Sequence, residues 1–137
     1  YGSMKDGDVA GLAAWRDSSA WIGIKRAGGS YRVVVVTGLT LDSSWNTNGF
    51  GSEVGSANVS GGKIWLRVVG NVRTDGGGAN AKFYYSTDGA TYQQLGGTFD
   101  MKKDWPFFTG YRYALFNYAT QSLGGQVTIP SFELTVP

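Results

Sequence analysis

The 137 residues of this chain, with a mass of 14.7 kDa, are enough for one domain with one hydrophobic core. Its 12 basic and 10 acidic residues are scattered and give a net charge of +2, so a nucleic-acid partner is not expected; no apolar run reaches the roughly 20 residues of a membrane span. Histidine and cysteine are both absent, which excludes Ser-His and Cys-His catalysis, most zinc sites and thiol redox chemistry.

Frequent glycine and β-branched residues predict an all-β fold. The 22 glycines occur in a chain that is still 42% hydrophobic, so they are expected in turns between short strands rather than in disordered segments. No long segment keeps apolar residues at helical spacing without a glycine or a β-branched run.

Three short strands are predicted in the first part of the chain, at residues 9–15, 21–25 and 31–37. The third is a run of β-branched residues and is expected in the interior of a sheet. Residues 38–52 form the longest predicted irregular stretch, and Trp45 and Asn46 make it a candidate binding loop.

Further strands are predicted at residues 53–59, 63–69, 82–86, 91–96 and 126–136, with Asp88-Gly89 as the clearest hairpin turn. Pro130 should mark a bulge or an edge position in the last of them. Short strands at this spacing predict a two-sheet antiparallel β-sandwich or jelly roll, with a barrel as the alternative.

Residues 105–120, WPFFTGYRYALFNYAT, combine seven aromatic residues with strand-like alternation. Because successive side chains of a strand point to opposite faces, Tyr111 and Tyr113 share one face and Arg112 shares the other with Phe116. Neither face is polar, which predicts a central strand that is covered on both sides.

The aromatic residues are also candidates for sugar binding. Sandwich proteins bind sugars on flat aromatic rings, which stack on the C–H face of a pyranose while polar neighbours bind its hydroxyls. Three places supply such pairs, and each ring could equally belong to the core: Trp45 with Asn46, Trp65 with Arg67, and the row of Tyr111 and Tyr113.

Carboxylates are the remaining catalytic candidates. Glycoside hydrolysis needs two carboxyl groups facing each other across a cleft, and Glu53 and Glu133 are the only glutamates. Glu133 is out of phase with Phe132 and Leu134, so a solvated surface position is the simpler interpretation.

Two aspartates near the start of the chain are candidate ligands for a structural calcium, since that ion prefers oxygen ligands. Asp6 and Asp8 flank Gly7, and the simpler interpretation is that both carboxylates satisfy their own turn. No other cofactor is expected. Asn58-Val59-Ser60 fits an N-glycosylation acceptor and indicates a secretory route.

An ordered series of motifs resembles the C-terminal concanavalin A-like β-sandwich module of family 43 glycoside hydrolases, the β-xylosidases and α-L-arabinofuranosidases. The motifs cover nearly the whole chain: GDVAGLAAW (7–15), AWIGIK (20–25), GGKIWLRV (61–68), KFYYSTDGATYQQLG (82–96), residues 105–120, and GGQVTIPSFEL (124–134).

This resemblance implies a non-catalytic, extracellular module attached to a catalytic five-bladed propeller. It implies that Phe107 or Phe108 reaches toward the propeller's active site, and that xylan or arabinoxylan is a partner. In the family the module begins with additional strands, so residues 1–137 are expected to form a single module that is a fragment, a shortened sandwich or one half of a cleaved protein.

The sequence therefore predicts a carbohydrate-binding or ancillary module without catalysis of its own. Two alternatives stay open. One is a small jelly-roll glycosidase that uses Glu53 and Glu133, and the other is a purely structural domain whose aromatic residues face the propeller.

Overall fold

The computed structural model of the protein describes residues 1–73, 78–104 and 110–136. Within these ranges the regular structure consists of strands, and none of it is a helix long and apolar enough to cross a membrane. The strands are β1 (Asp8–Trp15), β2 (Ser18–Ala27), β3 (Ser30–Leu41), β4 (Thr47–Val59), β5 (Trp65–Val72), β6 (Ala79–Ser86), β7 (Gln93–Asp100) and β8 (Arg112–Ala119).

These strands form two antiparallel sheets. The larger has five strands in the order β4-β3-β2-β1-β8, and the smaller has three in the order β5-β6-β7. The predicted all-β, two-sheet antiparallel sandwich is confirmed.

The core lies between the two sheets. Ile22, Val33 and Val35 of the large sheet pack in one buried cluster with Phe83 and Phe99 of the small sheet. Alternation along β3 places Val34 and Val36 in a second buried cluster, on the opposite face of the large sheet. The β-branched run is thus apolar on both faces because β3 is an interior strand, as its sequence predicts.

Two glycines allow the sheets to approach each other closely at one side. A Cβ atom on Gly55 of β4 would lie 2.6 Å from the backbone nitrogen of Gly96 of β7. Gly96 has a φ of 70°, a left-handed conformation that glycine adopts at little cost. The absence of a side chain at both positions lets strand backbones touch across the sandwich.

The predicted irregular stretch at residues 38–52 is confirmed only for residues 42–46. β3 continues to Leu41 and β4 begins at Thr47, so the two strands form a long hairpin. Gly38 and Gly51 adopt φ values of 81° and 73°, and Gly38 is the residue at which the register between β2 and β3 shifts. The glycines form irregularities inside a ladder, where the sequence pattern resembles a loop.

The predicted strand at residues 91–96 begins two residues later, at Gln93, and continues to Asp100. The carboxylate of Asp88 accepts hydrogen bonds from the backbone N–H groups of Ala90 and Thr91, both at 2.8 Å. Those two residues therefore belong to the turn.

Two other predictions about strands are wrong. β8 is an edge strand, paired with β1 alone in the part of the chain that the structure describes. Its sequence looks central because both faces are apolar, yet Leu115 is 47% exposed. The predicted strand at residues 126–136 is reduced to a bridge between Gln126 and Ser3, because its alternating residues Phe132 and Leu134 find no strand to pair with among the described residues and remain exposed.

Candidate functional site

The face of the five-stranded sheet that points away from the small sheet carries a continuous apolar surface, which we call the outer aromatic face. It contains a groove of about 340 Å³. Strand register brings its members together, since Ala13 of β1 lies opposite both Trp21 of β2 and Ala114 of β8. The groove is lined by Ala13, Trp15, Ser19, Trp21, Leu39, Ala114, Phe116 and Tyr118.

Two glycines form the floor beside this groove. Gly11 lies opposite Gly23, and a Cβ on Gly11 would lie 2.9 Å from the ring of Phe116. A Cβ on Gly23 would lie 3.1 Å from the ring of Trp21. The two rings meet edge to face at 5.1 Å, and Tyr118 stacks on Phe116 at 6.0 Å. Because neither glycine has a side chain, the rings can lie close to the sheet backbone.

Charged side chains border the rings. The Lys25 ammonium lies 5.7 Å from the centroid of Trp21 and 3.2 Å from a carboxylate oxygen of Glu53. Arg32 donates to both oxygens of the same carboxylate, at 2.9 and 3.5 Å. Flat rings thus adjoin hydrogen-bonding groups, the combination that sugar binding requires.

Trp45 extends this face at one end. Its indole stacks on that of Trp15 with centroids 5.7 Å apart. Asn46 stabilises the turn: its backbone N–H donates to the Asp42 carboxylate at 2.9 Å, and its side-chain amide reaches the same carboxylate at 3.5 Å. The bond from the Asn46 backbone, together with one from the backbone of Ser44, holds the pKa of Asp42 below its ordinary value.

Trp65 and Arg67 lie together, but on the outer face of the three-stranded sheet, on the other side of the sandwich. The Lys63 ammonium sits 4.4 Å from the centroid of the Trp65 ring, and the Arg67 guanidinium sits 3.6 Å from the centroid of Tyr92. A Cβ on Gly89 would lie 2.8 Å from the Trp65 ring, so this indole is packed between a glycine and an ammonium group.

Tyr113 of β8 and Tyr111, which precedes that strand, lie on the inner side of the large sheet, away from the outer aromatic face. Tyr111 accepts a hydrogen bond from the backbone N–H of Lys102 at 3.1 Å, and burial raises its pKa. Tyr113 lies opposite Ala14, whose side chain is in the core between the sheets. The two tyrosines thus help to close the sandwich.

Sequence reasoning missed Trp21, Phe116 and Tyr118, the rings at the centre of the outer aromatic face. The alternation of Trp21, Gly23 and Lys25 is visible in the sequence. It shows that these side chains share a face but does not show that the face lacks a covering layer.

The two glutamates sit in different surroundings. Glu53 is held by Lys25 and Arg32 on the outer face, whereas Glu133 is an exposed residue of the C-terminal segment that follows the Ser3–Gln126 bridge. No described hydrogen bond or ion pair joins them.

The two aspartates near the start of the chain have separate partners. The Asp8 carboxylate is buried and accepts from the backbone N–H of Lys5 at 2.7 Å. Asp6 pairs with Arg26 at 3.2 Å and accepts from the backbone N–H of Gly29. Across the described ranges, no three acidic residues converge as metal ligands. Asp8 therefore serves its own turn, whereas Asp6 ties that turn to the β2–β3 hairpin, and two carboxylates engaged separately do not fit a shared calcium site.

The sequence of residues 1–135 matches the C-terminal concanavalin A-like domain of β-xylosidase, the family designated GH43_C2. The chain belongs to this family. The resemblance read from the sequence motifs is therefore confirmed.

Two solved structures share the fold of this GH43_C2 domain over 90% of its length. One is a GH43 glycoside hydrolase engineered to display both endo-xylanase and exo-arabinofuranosidase activity, with 37% identity and a TM-score of 0.83. The other is a bifunctional GH43-CE protein from Bacteroides eggerthii, with 31% identity and a TM-score of 0.75. The domain covers 25% and 15% of these chains, so it spans a quarter or less of their length. No curated protein matches the sequence.

Phe107 and Phe108, the residues that the family resemblance assigns to contact with a propeller, lie outside the described residues. Their role remains a prediction.

Proposed function

We propose that this GH43_C2 domain is a non-catalytic module of a secreted xylan- or arabinoxylan-degrading hydrolase, and that it binds the polysaccharide on its outer aromatic face. The observation that carries the proposal is the exposed ring of Tyr118, which stacks on Phe116; Phe116 in turn packs edge to face against the buried Trp21, beside the Gly11–Gly23 pair.

The chemistry of this face suits a neutral polysaccharide. A xylose ring presents C–H bonds on its faces and hydroxyls at its edge, so it stacks on an aromatic ring while its hydroxyls bond to neighbouring polar groups. Tyr118 is 46% exposed and is stacked on Phe116, which makes it the most available platform. Lys25, Arg32 and Glu53 supply donors and acceptors on the same face, and Lys25 is separated from Tyr118 by Val9 of β1, which lies opposite both.

A non-catalytic role is supported by the surroundings of the glutamates. Both oxygens of Glu53 contact cations, and Glu133 lies in a segment without strand pairing in the described structure. A glycosidase needs a second carboxyl group facing the first at a short distance. We assign catalysis to a propeller domain that accompanies this module.

A second candidate function uses the same face. Apart from Ser19, the side chains that line the groove are apolar or aromatic. An apolar groove of this kind also suits packing against the catalytic domain, which would bury the rings without any affinity for sugar.

Substitution of two tyrosines of β8 distinguishes sugar binding from packing against the catalytic domain. Tyr118 and Tyr113 are 46% and 40% exposed, but they lie on opposite faces of β8. Tryptophan fluorescence would be titrated with xylo-oligosaccharides and arabinoxylan, with reducing sugar measured in the same samples. We expect saturable quenching without sugar release, and Tyr118→Ala should weaken binding about tenfold, since one lost ring stack approaches 1.4 kcal/mol.

Tyr113→Ala is the matched control and should bind like the wild type. Equal losses in both variants, or no binding by the wild-type chain, would contradict sugar binding at the outer aromatic face. Sugar release that is abolished by Glu53→Gln would contradict the non-catalytic assignment.

A further inference from the structure

The outer face of the three-stranded sheet carries a second cluster, which we call the cation-aromatic patch. Its members are Lys63, Trp65 and Arg67 of the β5 region, Lys82 and Tyr84 of β6, and Tyr92 just before β7. In the ladder, Arg67 lies opposite Tyr84 and Trp65 opposite Ser86, which places these alternate residues on one side of the sheet.

The cations of this patch differ from most others in the protein. Within the described ranges, Lys63, Arg67 and Lys82 have no carboxylate within ion-pair distance. Carboxylate partners are present for Arg16, Lys25, Arg26, Arg32 and Lys102. The positive charge of the patch is therefore available to a ligand.

The Arg67 side chain is held in place for such a ligand. Its guanidinium lies 3.6 Å from the centroid of Tyr92, a distance at which the ring supports the flat group by a cation–π contact. An arginine on an aromatic face keeps its edge N–H groups free, and those groups match the two oxygens of a carboxylate.

Among the residues that the structure describes, two acidic residues lie near the patch, and neither forms an ion pair with its cations. The Asp88 carboxylate accepts hydrogen bonds from the Ser86 hydroxyl and from two backbone N–H groups of its own turn. Asp100 lies opposite Asn80, two residues from Lys82, and no described ion pair joins it to Lys82. Three cations thus outnumber two carboxylates, and one carboxylate is already saturated by its turn.

We propose that the cation-aromatic patch binds the carboxylate of a uronic-acid side group on a polysaccharide. Arg67 binds the carboxylate through its two edge N–H donors, Lys63 and Lys82 strengthen the local field, and Tyr84 offers a ring to the C–H face of the sugar. The choice of xylan as the carrying polymer rests on the proposed function. The site itself lies on the opposite side of the sandwich from the outer aromatic face.

The test compares two polymers that differ in one group. Binding of the full chain to a uronic-acid-bearing xylan is measured by calorimetry, beside the same xylan after its carboxyl groups have been reduced to alcohols. We expect the acidic polymer to bind about tenfold more tightly, the effect of one charge-assisted hydrogen-bonded pair. Arg67→Gln should remove this preference, and Arg67→Lys should restore only part of it.

Lys5→Gln is the matched control, because Lys5 is an exposed cation outside the strands, donates to the carbonyl oxygen of Leu123 and also has no ion pair among the described residues. It removes the same charge and should keep the preference. Equal binding of both polymers, or an unchanged preference in Arg67→Gln, would overturn the proposal. Tighter binding of polyglutamate than of the acidic xylan, at matched carboxylate concentration, would also overturn it by assigning the patch to an acidic protein segment.

Neutral arabinoxylan distinguishes this proposal from the proposed function. If only the outer aromatic face binds polysaccharide, neutral arabinoxylan binds and the preference for the acidic polymer is absent. If the outer aromatic face is wrong, neutral arabinoxylan does not bind, while a preference that depends on Arg67 persists.

Discussion

The indole of Trp45 stacks on the indole of Trp15, with ring planes inclined at 21°. Trp15 is the last residue of β1, and Trp45 lies in the turn between β3 and β4, so the stack ties the tip of that hairpin to the sheet. Trp45 has a φ of 65° and is the one non-glycine residue with positive φ in the described structure. The ring contact is thus made from a backbone conformation that costs L-residues energy.

Replacing Trp45 by glycine or alanine separates these two effects. Both variants lose the stack, but glycine accepts the left-handed backbone, whose cost to alanine is roughly 1–2 kcal/mol. Glycine also raises the conformational entropy of the unfolded chain, which offsets part of this advantage. We therefore expect the free energy of unfolding of Trp45→Gly to be about 0.5–1 kcal/mol higher than that of Trp45→Ala. Urea titration followed by circular dichroism measures the difference. An alanine variant as stable as the glycine variant would show that the turn relaxes.

Gly11 supports the outer aromatic face and should not tolerate a side chain. A Cβ there would lie 2.3 Å from the carbonyl oxygen of Ile22 and 2.7 Å from the Cα of Gly23. These are backbone atoms of the neighbouring strand, so the strands must separate. We expect Gly11→Ala to lower the free energy of unfolding by about 2–3 kcal/mol, the upper range for overpacking.

Gly97→Ala is the control for this prediction. Gly97 is also a strand glycine, but nothing lies within 4 Å of a Cβ at that position. Its substitution should change stability by no more than about 0.5 kcal/mol. Similar losses at both positions would mean that alanine destabilises these strands for a reason other than the clash.

The sequence predicted correctly those strands and turns that follow from local residue pattern. It failed where a strand forms only if another strand is available to pair with it. The β-branched run of β3 required an interior strand, and the Asp88-Gly89 pair required a turn, whatever the rest of the chain did. Phe132 and Leu134 alternate equally well, but alternation creates a strand only if another strand has a free edge beside it.

The candidate site shows the same limit. Trp65 beside Arg67 and Trp21 beside Gly23 and Lys25 look alike in the sequence. Which face of each strand is covered depends on the arrangement of the sheets, and this decides that Tyr113 faces inward while Tyr118 lies on the outer aromatic face. Local pattern identified the residue types but not the surface that they form.

Arg16 is the centre of a buried ionic network that the sequence did not indicate. Its side chain is 4% exposed and pairs with Asp17 at 2.8 Å and with Asp104. It also donates to the carbonyl oxygen of Lys102 at 3.0 Å, and its guanidinium lies 5.5 Å from the Tyr111 ring. One arginine therefore connects the β1–β2 turn to the segment that follows β7.

Removing the Arg16 cation should be costly. We expect Arg16→Met to lower the free energy of unfolding by about 3 kcal/mol, because it leaves the largely buried Asp17 carboxylate without one of its two partners. Arg32→Met is the matched control, since Arg32 pairs with Glu53 at an exposed position and such pairs contribute about 1 kcal/mol or less. Equal destabilisation by the two substitutions, measured by urea unfolding, would show that burial does not distinguish these ion pairs.

Asp17 makes the stability of this network depend on pH. Burial alone would raise its pKa, but a hydrogen bond from Lys102 and the charges of Arg16 and Lys102 outweigh burial and hold the pKa below its ordinary value. As the pH falls, Asp17 is therefore protonated first in the unfolded state, where its pKa is about 3.9. The stabilisation that the Asp17 carboxylate provides above that pH is lost as the pH falls through its lower pKa in the folded state. Asp17→Asn should thus be less stable than the wild type at neutral pH, and the gap should narrow towards about pH 3. Asp42 and Asp88, whose pKa values are also lowered, make both proteins less stable as the pH falls, so the test is the difference between them. Urea unfolding across this pH range measures that difference. A constant difference would mean that Asp17 has the same pKa in the folded and unfolded states.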